Sequence, residues 1–83
     1  MKTIILSPAA AKDLDGLPPE PRRLISAALD RYALSGQGDI KKLSGREGYR
    51  MRVGNYRVLF DEDAKTVLAF YIGKRETQTY RRN

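Results

Sequence analysis

An α+β fold, in the order β-α-α-β-β-β, follows from three observations on this 83-residue chain. Apolar residues keep helical spacing only in the stretch after the first strand, at Ala10, Leu14 and Leu17 and again at Leu24, Ile25, Ala28, Leu29 and Tyr32. The second half changes period: apolar and basic residues alternate on both sides of Gly54-Asn55, the pattern of a tight β-hairpin. A further apolar run, Thr66 to Ile72, supplies a third strand. A helical hairpin packed on an antiparallel sheet accounts for all three, with residues 1–83 forming one domain.

Each element has its own signals. Lys2 to Leu6 reads as a short strand, and Ser7-Pro8 places an N-cap before a proline suited to the first helical turn. Gly16 loosens the end of that helix. Pro18-Pro19-Glu20-Pro21 cannot lie inside a helix but can begin one, so the second helix starts there and runs to about Leu34. Ser35-Gly36-Gln37-Gly38-Asp39 breaks it. Ile40 to Leu43 and the turn Gly45-Arg46-Glu47-Gly48 lead into the hairpin strands Tyr49–Val53 and Tyr56–Phe60, and Asp61 to Lys65 turns the chain again. Thr66 to Ile72 is apolar on both alternating faces, which predicts a central strand buried on both sides. Gly73 ends it, and a polar tail completes the chain. Tyr49, Tyr56, Phe60 and Tyr71 fall on the buried period and are assigned to the core.

Composition removes whole classes of chemistry. A chain of this length buries only roughly two thirds of its unfolded surface, so there is room for one thin core. Cysteine and histidine are absent, which excludes disulfides, thiolate and imidazole metal sites, and every catalytic triad built on histidine. Catalysis, if any, falls to Arg, Lys, Tyr, Glu or Asp, with no cofactor and no metal expected. No apolar run approaches the roughly 20 residues that span a bilayer, and Thr3-Ile4-Ile5-Leu6 is too short for a signal peptide's core. A soluble protein of the cytoplasm is expected. Residues 1–40 carry five basic and five acidic side chains, so the whole excess of six positive charges lies in residues 41–83. Such asymmetry fits a polyanionic partner, and it also fits a solubilising surface.

A two-residue turn fixes the hairpin register. Val53 faces Tyr56, Arg52 faces Arg57, Met51 faces Val58 and Arg50 faces Leu59, and residues directly opposed share a side of the sheet. Arg50, Arg52 and Arg57 therefore gather on one face, opposite Tyr49, Met51, Val53, Tyr56, Val58 and Phe60. Like charges directly across a ladder cost a few tenths of a kcal/mol or more. Strand residues two apart stand about 6.5 to 7 Å from each other, a spacing suited to a phosphate backbone, and arginine can grip a phosphate through two parallel hydrogen bonds. The plainer reading is a solvated outer face.

Other candidates have paired readings too. Lys41, Lys42 and Arg46 either extend the basic surface or occupy a solvated loop. Lys74 and Arg75 follow the last strand through Gly73, and the meander returns that strand end toward the hairpin. Tyr80 lies in the polar tail, where it either caps the core edge or stacks on a nucleobase. Glu47 is the carboxylate nearest the arginines in sequence, a possible general base or a turn residue balancing Arg46. Asp61, Glu62 and Asp63 crowd one turn without a second ligand cluster and read as a hairpin tip. Gly36-x-Gly38 follows a helix and carries no dinucleotide signal.

Taken together, Lys41-Lys42-Leu43-x-Gly45, the run Tyr49-Arg50-Met51-Arg52-Val53-Gly54-Asn55-Tyr56-Arg57-Val58-Leu59-Phe60, and Ile72-Gly73-Lys74-Arg75 with Tyr80 resemble the RelE branch of the RelE/ParE toxin superfamily. The resemblance implies a toxin of a type II toxin-antitoxin pair: a metal-independent endoribonuclease that enters the ribosomal A site and cuts mRNA there, inhibiting translation and arresting growth. It also implies a cognate antitoxin that wraps the protein and masks its basic face. By motif, Arg57 matches an arginine that contacts the scissile phosphate, Arg75 a second catalytic arginine, and Tyr80 a tyrosine that stacks on an mRNA base. Arg50 and Arg52 stand where well-studied members have two lysines. An arginine does not give up its proton in a protein, so both can bind phosphate but neither can activate a 2′-hydroxyl. That task is left to Glu47, the ribosome or water. Two alternatives remain: a ParE-like poison of DNA gyrase, and a catalytically weak relative that binds RNA or antitoxin without cutting.

Overall fold

In the computed structural model, which describes residues 1–74, both helices begin and end where local chemistry directs. The first strand, β1 (Thr3–Leu6), leads through Ser7 into α1 (Pro8–Asp15). The Ala10 N–H donates to Ser7 Oγ at 3.1 Å, satisfying one of the orphan donors of the first turn. Ser7→Ala is expected to lower stability by about 1 kcal/mol, read from the midpoint of urea unfolding. The second helix, α2 (Pro19–Ser35), uses its prolines at the start and ends at Gly36 in the left-handed conformation.

Four antiparallel strands follow: β2 (Asp39–Lys42), β3 (Tyr49–Val53), β4 (Tyr56–Glu62) and β5 (Thr66–Lys74). The sheet order is β1-β5-β4-β3-β2. The α+β class stands, with two additions to the expected sheet. Asp39–Lys42 is a strand and not a loop, because Ile40 sits opposite Met51 and buries against the core. The sheet is also mixed, since β1 pairs with β5 in parallel, Thr3 opposite Thr66 and Leu6 opposite Ala69.

Both helices lie on one side of the sheet. Ala10, Ile25 and Leu29 pack there against Met51, Val58, Phe60, Val67, Ala69 and Ile72. Among the described residues Phe60 is the largest fully buried side chain, with Tyr32 edge-on at 5.3 Å and Tyr49 stacked at 5.6 Å between ring centroids. β5 is interior in strand order, but no described element lies over its outer face: Leu68 and Tyr71 are 40% and 37% exposed. The expectation of a strand buried on both sides therefore holds for one side only. None of the described helices is long and apolar enough to cross a membrane.

A polar brace joins three elements at the edge of the core. The Tyr32 hydroxyl of α2 donates to the Glu62 carboxylate at 2.9 Å, and Lys2 Nζ donates to the same carboxylate at 2.7 Å. Burial first, and then the Glu62 hydrogen bond, push the Tyr32 phenol up to about 12 from its ordinary 10.0. A phenol raised by folding contributes fully below its unfolded value near 10.0, and that contribution is lost as pH climbs through about 12. Alkaline titration followed by tyrosinate absorbance should place the Tyr32 phenol at about 12, and Glu62→Gln should lower it.

Candidate nucleic-acid interface

The two-residue turn delivers the arginines as its arithmetic requires. Gly54 takes φ 58, a left-handed conformation that only glycine adopts freely. Arg52 then stands opposite Arg57, and Arg50 opposite Leu59, all on the sheet face that the helices leave uncovered. Pairing extends this into two rows across the outer face. One runs Lys41, Arg50, Leu59, Tyr71, and the other runs Asp39, Arg52, Arg57, Gly73.

The three arginines are not electrostatically equivalent. Arg52 Nε lies 3.9 Å from the Asp39 carboxylate, a partly exposed pair on the edge of the sheet that offsets some of its charge. Arg50 and Arg57 are half-buried, and the Nε of each is buried with no hydrogen-bond partner among the described residues. A guanidinium with a buried, unsatisfied N–H is costly unless a ligand completes it, and an oxyanion is the acceptor it fits best. The Arg57 guanidinium carbon instead lies 5.8 Å from the centroid of the Tyr71 ring, a cation–π contact.

Strand parity sorts the remaining candidates. Lys41 pairs with Arg50 and shares the outer face. Lys42 pairs with Tyr49, and Lys74 with Tyr56, which assigns both backbone positions to the helix side. Glu47 is exposed and lines a hollow of about 350 Å³ with Lys42, Gly48, Tyr49, Asp61 and Glu62, a lining that contains none of the three arginines. Arg75 and Tyr80 lie outside the described residues. The acidic turn is occupied by its own backbone: the Lys65 and Thr66 N–H groups both donate to Asp63 Oδ1 at 2.9 Å, and these bonds hold the Asp63 carboxyl below its ordinary value. No group of His, Cys, Asp and Glu among the described residues could hold a metal ion.

Comparison with known proteins gives a one-sided result. No protein-family model matches the chain, and no curated protein does. Solved structures match over nearly the whole chain. The Mycobacterium tuberculosis toxin-antitoxin complex RelBE2 contains a chain 28% identical, with a TM-score of 0.72 over 89% of this chain and 98% of that one. The RelB-RelE antitoxin-toxin complex of Methanococcus jannaschii gives 27% identity and a TM-score of 0.73 over 87% and 91%. The intact Escherichia coli RelBE complex, at 21% identity, gives 0.76 over 93% and 100% and supports the fold alone. The chain is RelE-like.

One residue of the RelE-like face escapes strand alternation. Tyr71, assigned by period to the core, stands on the outer face opposite Leu59. The cause is a β-bulge: Leu59 pairs with Tyr71 but Phe60 pairs with Ala69, which leaves Phe70 as an extra residue and shifts the parity of everything after it. A signal was available in the sequence. Ile72 and Tyr71 cannot both be inward, and only Ile72 precedes a glycine that leaves the outer side open.

Proposed function

We propose that this RelE-like chain is the toxin of a toxin-antitoxin pair and acts as a ribosome-dependent endoribonuclease that cuts mRNA in the A site and so inhibits translation. The observation that carries the reading is the pair of half-buried arginines, Arg50 and Arg57, whose Nε groups lack a partner among the described residues, on the sheet face that neither α1 nor α2 covers. RelE toxins of antitoxin complexes share the fold, which supports the same class of partner here: a cognate antitoxin that covers this face.

In the proposed reaction the message's own 2′-hydroxyl attacks the adjacent phosphorus. A 2′-oxygen–phosphorus bond forms, the bond from phosphorus to the 5′-oxygen breaks, and the products are a cyclic phosphate and a 5′-hydroxyl that takes up a proton. An internal nucleophile is already positioned, so the protein's task is to orient the backbone and stabilise the charge on the phosphorane. Arg57 is assigned to the phosphorane, with Arg50, Arg52 and Lys41 holding the flanking backbone. The resemblance assigns Arg75 a second catalytic position and Tyr80 a stacking role. Lys42 and Lys74, on the other side of the sheet by pairing, are assigned at most to the rim of the RNA path.

The proton of the 2′-hydroxyl must leave, and the arginines cannot take it. Glu47 shares its hollow with none of them. Glu47→Gln should therefore leave cleavage within about twofold of the parent, with the ribosome or water as acceptor; a loss of a hundredfold or more, the range of a missing general base, would restore Glu47 to that role. The test of the whole reading is purified protein on programmed ribosomes with RNA ends mapped by primer extension. New 5′ ends within translated codons are expected. Intact messages beside accumulated gyrase-linked DNA breaks would overturn it in favour of a gyrase poison.

A further inference from the structure

The bulge in β5 puts two consecutive aromatic residues on the outer face, where ordinary alternation allows one. Tyr71 faces Leu59 there, and Phe70, the extra residue between inward Ala69 and outward Tyr71, takes the same side by parity. Each ring carries an arginine, Arg46 over Phe70 at 5.7 Å and Arg57 over Tyr71 at 5.8 Å. The Tyr71 ring also lies across Gly73, whose position opposite Arg57 leaves the space. A Cβ at Gly73 would run into the phenol, 2.6 Å from its Cζ and closer to its oxygen. On its β5 side Arg57 therefore faces no side chain, only the aromatic platform that leans into the gap.

We propose that Tyr71 is the positioning residue for Arg57, and that the β5 bulge together with Gly73 exists to bring its ring to that guanidinium. Three features meet at this point: a parity shift, a glycine whose missing Cβ leaves the space the Tyr71 ring fills, and an arginine held by a ring where no carboxylate pairs it among the described residues. An acidic partner would fix Arg57 but would also neutralise it and compete with phosphate. A ring fixes the same group and leaves its charge and its N–H groups available to an oxyanion. Bulges of this kind re-aim side chains beside functional sites. The inference rests on the nuclease reading for its consequence, though not for its geometry.

The experiment compares the parent with Tyr71→Leu, Tyr71→Phe, Gly73→Ala and the double variant Tyr71→Leu/Gly73→Ala. Two readouts are taken: the Arg57 Nε–Hε resonance, assigned with Arg57→Lys, and cleavage on programmed ribosomes at saturating and sub-saturating ribosome concentrations. Tyr71→Leu and Gly73→Ala should each move the Arg57 resonance and lower the maximal cleavage rate by roughly ten- to a hundredfold, the cost of a misplaced catalytic group, with the half-saturating concentration unchanged. Tyr71→Phe should restore both readouts, and Gly73→Ala should add nothing once Tyr71 is leucine. An Arg57 resonance that stays in place in Tyr71→Leu overturns the proposal whatever happens to cleavage. So does a Gly73→Ala defect that persists undiminished in the leucine background, or a resonance that moves with no change in rate. If the parent leaves messages whole, the nuclease reading falls while the resonance still decides whether Tyr71 holds Arg57.

Discussion

Arg57→Ala should lose cleavage of ribosome-bound mRNA by about 10²- to 10³-fold, the effect of removing one donor aimed at developing negative charge. Stability should move the other way or not at all. Arg57 faces Arg52 directly across the hairpin, and like charges so opposed destabilise the ladder. Its Nε is also buried without a partner among the described residues, so truncation removes an unsatisfied donor as well as a repulsion. Thermal unfolding of the variant should therefore match or slightly exceed that of the parent. This opposition separates a functional arginine from a structural one, since loss of a packing residue lowers both quantities. Arg57→Lys should recover part of the affinity for RNA but little of the rate, because an ammonium restores charge without the planar fork. If Arg57→Ala cuts as fast as the parent, the role given to this residue is wrong. If it loses stability by more than about 1 kcal/mol, the arginine is a structural element of the sheet, beyond the range expected of a surface substitution.

The arginine face was legible from the chain because a two-residue turn leaves no freedom in register: once Gly54-Asn55 is the turn, the side of every residue from Tyr49 to Phe60 follows. The helices were legible for a similar reason, since Ser7, the prolines and Gly36 mark their ends by local chemistry. Parity becomes uncertain wherever pairing is set by packing alone. Lys41 and Lys42 look equivalent in sequence, and only the pairing of Ile40 with Met51 decides which of them takes the outer face. Tyr71 was misplaced because a bulge adds one residue without a turn at the site to announce it, and its one mark in the chain, Gly73, lies beyond it. The partner of β1 was hidden for a different reason. A parallel pair at the sheet edge depends on how α1 and α2 return the chain, and Thr3 to Leu6 carries nothing that distinguishes one neighbour from another.

Phe60→Ala should be the most damaging single change to the fold. The side chain is fully buried between the helices and the sheet, and truncation of a buried phenylalanine costs about 3 to 5 kcal/mol through lost transfer free energy and the cavity left behind. Two further aromatic contacts go with it, the edge-on ring of Tyr32 and the stacked ring of Tyr49, each worth roughly 0.5 to 1.5 kcal/mol beyond burial. Against a total stability of about 5 to 15 kcal/mol for a native domain, the loss is a large share, and an unfolding midpoint lowered by some 15 °C or more is expected. Phe60→Leu should retain much of the core volume and fall between the two. The position also ties the core to the outer face, because Phe60 pairs with Ala69 immediately beside the bulge that turns Tyr71 outward. With its anchor gone, the strand pair has less reason to keep the extra residue at Phe70. A Phe60→Ala protein that stays folded at low temperature should thus show a displaced Arg57 Nε–Hε resonance as well. Retention of the parent's midpoint within a few degrees would mean that the helices close over the cavity, and that the face is held by the hairpin alone.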